Sequence, residues 1–252
     1  MPRGVAADFQ VRLAQTDADV QAAQRLRYEV FVQELGGSGA MVDHAAGLEQ
    51  DRFDPFFDHL LLTDLRNGKL AGVYRVMRAD MAARAGGFYS EAEYDLTPLV
   101  QSGRKLLELG RSCLDPAYRG GAAMHHLWGA LARYVAEHEI EVLFGVASFH
   151  GTDTATLAEP LSLLHHRHLA PPELRVRARE FASMDLIAEP DLDRRKAMLA
   201  VPSLIKAYLR LGGCVGEGAY IDRAFNTTDV CLILDTKQMS ARQSRIYGGS
   251  AA

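Results

Sequence analysis

Glu108 and Arg111 stand three residues apart inside Lys105 to Leu114, a run apolar enough for a buried strand and halted by Asp115-Pro116. A regular strand points residues three apart to opposite faces. Gly110, between them, is the residue type that admits a bulge, which would turn both side chains toward one cleft and leave a backbone N–H without its ladder partner. Acyl transfer without a metal needs such a pair of groups. The N–H meets the oxyanion formed from a thioester carbonyl, and the carboxylate takes the proton of an attacking amine. Glu108 is accordingly the candidate base and Arg111 its companion in the catalytic pair. The alternative for the same spacing is a buried Glu–Arg pair with a structural role.

A second candidate follows at Tyr118-Arg119-Gly120-Gly121-Ala122. Small residues ahead of a helix let backbone N–H groups at its N-terminus approach an anion such as a phosphate. This marks Arg119, Gly120, Gly121 and Ala122; a plain tight turn is the alternative. Arg27 poses a different problem, since it falls in the apolar stripe Val20, Ala23, Arg27, Val30 and Phe31. A guanidinium there is costly unless it is paired. Six acids lie between Asp43 and Asp64 against the single Arg52, and Asp51 or Asp54 is the expected partner, unless the Arg27 head reaches water along a buried stem. His125-His126 and His165-His166-Arg167-His168 are not expected to hold a metal, because adjacent histidines on a helix diverge and no Glu completes an H-E-x-x-H arrangement. Ser148 and His150 lack the G-x-S-x-G elbow of serine hydrolases.

These side chains need a scaffold, and the composition allows one. The 252 residues are 48% hydrophobic and 24% charged, ordinary values that exclude a disordered or fibrous chain. A net charge of −4 argues against a general nucleic-acid binder. No apolar run approaches the roughly 18–20 residues that span a bilayer, and no apolar signal core follows Met1, so a cytoplasmic protein is expected. Cys113, Cys214 and Cys231 are too scattered for a disulfide framework or a CxxC site.

Periodicity predicts strands at Phe9 to Leu13, His59 to Leu65, Leu70 to Met77, Lys105 to Leu114, Glu141 to Ser148, Tyr220–Ile221 and Val230 to Leu234. The second and third join through Asn67-Gly68, a hairpin signal. Helices are predicted from Thr16 to Gly36-Gly37, after Gly121 (Met124, Leu127, Trp128, Leu131, Tyr134 and Val135 on one face), from Thr154 to His168, and from Asp191 to Leu211. A short helix is expected near Ser90, and Leu174 to Ile187 is a further strand candidate. The order is that of a mixed α/β sheet in one domain over residues 1–240, with 241–252 as a flexible tail.

The strand–turn–helix–strand around Arg119 resembles the GNAT superfamily of N-acyltransferases, whose phosphopantetheine loop reads Arg/Gln-x-x-Gly-x-Gly/Ala between the fourth strand and the third helix. A wider set of motifs is similar to the acyl-homoserine lactone synthases. These are Arg27-Tyr-Glu-Val-Phe31, Glu49-x-Asp51-x-Phe53-Asp54, Tyr74-Arg75 and Glu108-Leu-Gly-Arg111. Most of the chain resembles the ornithine N-acyltransferases of bacterial ornithine-lipid synthesis, through Glu108-Leu-Gly-Arg-Ser, Tyr118-Arg-Gly-Gly-Ala-Ala, Leu127-Trp128 and Phe144-Gly-x-Ala-Ser-Phe-x-Gly151.

The resemblance implies a GNAT-like, mainly antiparallel sheet flanked by helices, with extra C-terminal helices and strands. It also implies transfer of a 3-hydroxyacyl chain from acyl carrier protein to the α-amine of ornithine. By the same resemblance Arg27, Phe31, Asp51, Asp54 and Arg75 serve substrate binding, and Arg119, Gly120, Gly121, Ala122 and Ser148 meet the carrier's phosphopantetheine, with no tightly bound cofactor. The alternatives are an acyl-homoserine lactone synthase, an N-acyltransferase for another amino acid such as glutamine, an acetyl-coenzyme A enzyme and a non-catalytic carrier-binding module.

An acidic carrier calls for a basic docking patch. Arg167, Arg175, Arg177 and Arg179, then Arg194, Arg195 and Lys196, are the candidates; the middle three alternate and would share one side of a strand. The helix from Asp191 offers a rival use for its basic end, a transient contact with the inner membrane surface through Met198, Val201, Ile205, Tyr208 and Leu209.

Overall fold

The computed structural model describes residues 8–239; the expected tail at 241–252 lies outside them. Eight strands form the large sheet: β1 (Phe9–Leu13), β2 (Asp58–Asp64), β3 (Lys69–Arg78), β4 (Leu106–Leu114), β5 (Val142–His150), β6 (Cys214–Val215), β7 (Tyr220–Asp222) and β8 (Thr227–Asp235). Their order is β1-β2-β3-β4-β5-β8-β6, with β7 also on β8. Every pairing of this sheet is antiparallel except β4 with β5. The mixed, mainly antiparallel sheet expected from the sequence is therefore present, and Asn67-Gly68 turns the β2–β3 hairpin with Gly68 at φ +70°.

Helices α1 (Asp17–Arg27), α2 (Ala79–Ala85), α3 (Thr97–Gln101), α4 (Ala123–Glu137), α5 (Ala158–His168), α6 (Arg194–Ala200) and α7 (Ser203–Arg210) cover the sheet. Thr16 caps α1, its hydroxyl accepting from the Asp19 N–H while the Asp19 carboxylate accepts from the Thr16 N–H. The same helix runs on as a π-helix over Tyr28–Glu34, an irregular form that recurs at functional sites. α4 lays Leu127, Trp128, Leu131 and Tyr134 on one face of the sheet, with α5 and α7 beside it. The other face packs Phe53, Phe57, Phe88, Tyr94 and Phe144.

Two expectations change. The helix predicted over Asp191 to Leu211 is two, because Pro202 holds Val201 extended (ψ 134°) between α6 and α7. Leu174 to Ile187 contributes only Arg177–Ala178, paired with Tyr94–Asp95. Val201, Ile205 and Tyr208 are buried in the main core and Met198 and Leu209 pack against it, so the stripe expected to face a membrane faces the protein instead. Among the described residues no helix is long and apolar enough to cross a membrane.

Candidate active site

β4 and β5 pair only from Leu106 opposite Val142 to Glu108 opposite Phe144, and then part. Two features of the sequence open this fork. Gly145 passes so close to β4 that a Cβ there would lie 2.1 Å from the Leu109 carbonyl oxygen. On the other edge of β4, Gly110 sits opposite Arg75 and Cys113 opposite Val73. Arg111 and Ser112 therefore face the single residue Tyr74. This is the bulge foreseen at Gly110, carried by the next residues, and Arg111 takes it up in the left-handed region at φ +50°. A non-glycine residue there costs on the order of 1–3 kcal/mol and needs anchoring.

The anchor is a buried ion network. Arg27 Nε donates to Glu49 Oε2 (2.5 Å), and its terminal nitrogens donate to Asp54 Oδ1 (2.8 Å) and Oδ2 (2.9 Å) and to the Glu49 carbonyl. Arg75 donates to Asp54 (2.6 Å) and Asp51 (2.7 Å). Arg111 Nε donates to the other oxygen of Glu49 at 3.0 Å. Three guanidiniums thus meet three carboxylates. Burial opposes the charge on Asp54 and Asp51, but the arginines overcome it and hold both carboxyls below their ordinary value. Asp54 is the partner foreseen for Arg27, with Glu49 added, while Asp51 serves Arg75. Arg27, Asp51, Asp54 and Arg75 are paired with one another, and none of the four lines the cavity or the smaller pocket described below.

Glu108 is also spoken for. It is 1% exposed, and its carboxylate accepts from the Tyr89 N–H (2.8 Å), the Ser90 N–H (2.6 Å) and the Ser90 hydroxyl (2.5 Å). Burial raises its pKa against those three donors. Glu108 and Arg111 do not pair with each other. Glu108 pins the 3-10 turn Tyr89–Ala92, and Arg111 donates to the Tyr89 hydroxyl (3.2 Å) with its guanidinium 4.8 Å from that ring.

That turn forms one wall of a cavity of about 270 Å³, which holds neither Glu108 nor the rest of the ion network apart from Arg111. Phe31 and Leu35 from the π-helix, Arg111 and Ser112 from the bulge, Val146, Ser148 and His150 from β5, and Leu204 from α7 complete it. So do three carboxyls: Glu93, Asp222 and Asp229. A smaller pocket of about 40 Å³ continues between the parted strands past Gly110 and Gly145.

Glu93 and Asp229 are 5% and 4% exposed, and one oxygen of each, Glu93 Oε2 and Asp229 Oδ1, has no hydrogen-bond partner among the described residues. Burial, with Asp229 and Asp222 close by, pushes the Glu93 carboxyl well up. Burial pushes Asp229 up to about 6, moderated by the hydroxyls of Ser148 and Thr227. The sequence reading missed this trio. The available signal was Asp229 as an acid at the head of the apolar run Val230 to Leu234; Glu93 and Asp222 carry none.

Among known proteins, an L-ornithine N(alpha)-acyltransferase of Rhodobacter capsulatus is 59% identical over 244 residues, 95% of this chain and 94% of that protein. One of the same name from Brucella abortus is 42% identical over 96% of this chain and 90% of its own length. The chain belongs to the L-ornithine N(alpha)-acyltransferase family. A family model described as an acetyltransferase (GNAT) domain matches residues 26–129 of the enzyme. Its fold is that of FeeM, an N-acyl amino acid synthase from uncultured soil microbes (TM-score 0.52, 12% identity, 92% of this chain and 93% of that one). It is also that of BjaI, a CoA-dependent acyl-homoserine lactone synthase (TM-score 0.55, 11% identity, 95% and 88%).

The remaining expected residues of this acyltransferase sit at the rim or beyond. Arg119 makes a two-bond contact with Glu34 (2.5 and 2.7 Å) and reaches the Leu114 carbonyl. Gly120 (φ +73°), Gly121 and Ala122 are exposed ahead of the fifteen-residue α4, whose N-cap Ala122 offers no side-chain acceptor. Arg175, Arg177 and Arg179 point outward as their alternation requires, Leu174, Val176 and Ala178 being buried. Arg175 and Arg179 hold the carbonyls of Ala170 and Glu91. Arg167 and Arg194 share Glu189, Arg177 pairs with Glu217 and Lys196 with Glu159; Arg195 is exposed beside them. His165, His166 and Asp185 bring potential ligand atoms within 4.8 Å of one another, but the His166 ring already contacts the Ile187 carbonyl.

Proposed function

We propose that this enzyme transfers a 3-hydroxyacyl chain from the phosphopantetheine thioester of acyl carrier protein to the α-amine of L-ornithine, giving a lyso-ornithine lipid. The observation that carries the reading is the acid-walled cavity at the β4–β5 fork, in a chain whose relatives are named L-ornithine N(alpha)-acyltransferase. The thioester enters between the parted strands, where backbone N–H groups along the fork receive the carbonyl oxygen as it gains charge. The open N-terminus of α4 beside Gly120 and Gly121 receives the carrier's phosphate.

In the step itself the α-amine nitrogen forms a bond to the acyl carbon, the C–S bond breaks, and the thiolate leaves and is protonated. The amine's proton goes to Asp229, beside Ser148 on the cavity wall and near neutrality, which suits a base at physiological pH. Glu108, whose oxygens are occupied, positions the Tyr89–Glu93 wall instead. The exposed arginines Arg177, Arg194 and Arg195 face an acidic carrier in the cytoplasm.

The test incubates the purified protein with L-ornithine and either 3-hydroxyacyl carrier protein or the matching acyl-coenzyme A, with product mass read directly. Product from the carrier alone supports the whole reading; product from coenzyme A alone removes the carrier from it. Asp229→Asn is expected to lower kcat by roughly 10²–10⁴-fold, and a normal kcat would refute its role.

A further inference from the structure

We infer that Glu93, with Asp222 beside it, is the counter-ion for a second ammonium group on the acceptor, so that the cavity selects a diamino acid over a neutral one. The inference rests on the acyl-transfer reading and goes beyond it by assigning the group that tells one amino acid from another.

Charge on the wall carries it. The carboxyls facing the cavity are Glu93, Asp222 and Asp229, and the guanidinium is that of Arg111. Arg111 is committed to Glu49, with Asp51 3.9 Å away, both outside the cavity. Arg111, the one guanidinium on the wall among the described residues, is thus held by carboxylates outside it, and the wall's three carboxyls outnumber it. Glu93 is the extreme case, since it is 5% exposed and its Oε2 has no partner among the described residues. Asp222, the last residue of β7, uses Oδ1 to accept from the Ala224 and Phe225 N–H groups of the following turn, which fixes it at the cavity. A carboxyl buried among other carboxyls is unfavourable unless a cation joins it. The α-ammonium and carboxylate of an amino acid sum to zero, so only a side-chain ammonium brings the missing charge. Three donors on an ammonium match the unsatisfied oxygen of Glu93 with acceptors to spare.

The experiment compares L-ornithine with L-norvaline, which has the same carbon chain without the terminal amine, in the full-length enzyme with a saturating acyl donor. The wild type should favour ornithine in kcat/KM by roughly 10²-fold or more, because a site built around a substrate N–H rejects the analogue that lacks it. Glu93→Gln should bring that preference to within about tenfold through ornithine KM rather than kcat, and Glu93→Asp, which keeps the charge, should restore part of it. An unchanged preference in Glu93→Gln, or an equal loss on both acceptors through kcat, overturns the assignment.

Calorimetry with donor-free protein separates the two levels. Ornithine binding weakened by Glu93→Gln, in a protein that acylates no amino acid, upholds the subsite and removes the acyl-transfer reading. A wild type that acylates both acceptors alike removes the subsite and leaves the reading in place. If Glu93→Gln fails to fold, Glu93→Asp and the two acceptors on the wild type still decide it.

Discussion

Asp229→Asn should make the protein more stable while disabling it. The wild-type carboxyl is 4% exposed and makes no ion pair among the described residues, and burial pushes its pKa from 3.8 up to about 6 against the opposing pull of its hydroxyl neighbours and Arg111. A carboxyl whose folded pKa lies above its unfolded one binds its proton more tightly in the folded state. Below about pH 4 both states are protonated and the aspartate behaves like its amide. As pH rises through the folded pKa, the folded protein must carry an unfavourable charge that the unfolded chain carries freely. A shift of about two units corresponds to about 3 kcal/mol, accumulated between about pH 4 and 6 and constant above.

Asparagine keeps the shape and cannot ionise. At about pH 7.5 the variant should therefore melt roughly 6–12 °C above the wild type, taking 2–4 °C per kcal/mol for a chain of this size. At about pH 4.5 the gap should shrink to about a third of that. The assay is thermal unfolding followed by circular dichroism at the two pH values. An equal offset at both, or a variant no more stable at the higher pH, would show that Asp229 meets a cation the described wall does not supply, and the charge argument for the cavity would fail with it.

Three further outcomes are expected. Gly145→Ala places a methyl 2.1 Å from the Leu109 carbonyl, so β5 must shift from β4; stability should fall by roughly 1–3 kcal/mol and acyl transfer with it, and normal activity would show that the fork geometry does not matter. Arg27→Met leaves Glu49 and Asp54 short of a partner at 0% and 3% exposure; about 3–5 kcal/mol should be lost, or a melting point lower by roughly 10 °C, and a loss under about 1 kcal/mol would mean the network is dispensable. Charge reversal at Arg177, Arg194 and Arg195 spares the backbone carbonyls held by Arg175 and Arg179, and should raise the KM for acyl carrier protein roughly tenfold and flatten its salt dependence; an unchanged KM removes docking from this face.

What could be read in the sequence was local. Arg27 announced its need for a carboxylate because helical spacing alone put it in an apolar stripe, and Gly110 announced a bulge because a strand rarely tolerates glycine otherwise. α4, the Asn67-Gly68 hairpin and the outward alternation of Arg175, Arg177 and Arg179 rest on short-range periodicity and turn chemistry in the same way. The break at Pro202 was equally local, but the apolar spacing on both sides disguised two helices as one. The partners of Glu108 could not be read, because two of the three are backbone N–H groups of a turn eighteen and nineteen residues away, and backbone donors leave no trace in residue identity. Glu93, Asp222 and Asp229 come from a turn and two strands that only the order β5-β8-β7 brings to one wall. No spacing in the chain encodes that meeting.

The two sets of acids in this fold have opposite relations to pH, and the difference explains how the site is held open. Asp51 and Asp54 are buried against arginines, so their contribution to stability is present at neutral pH and is lost as acid protonates them. Glu93 and Asp229 are buried against one another and Asp222, so theirs is present in acid and is lost as pH rises through their raised values. Burying an ion pair rarely adds net stability over an apolar core; what the first set supplies is geometry. It ties α1, the Glu49–Asp54 loop, β3 and the left-handed Arg111 together beside the point where β4 leaves β5. The unfavourable wall stands in front of that network, and the cationic acceptor proposed above is the group that would offset its charge.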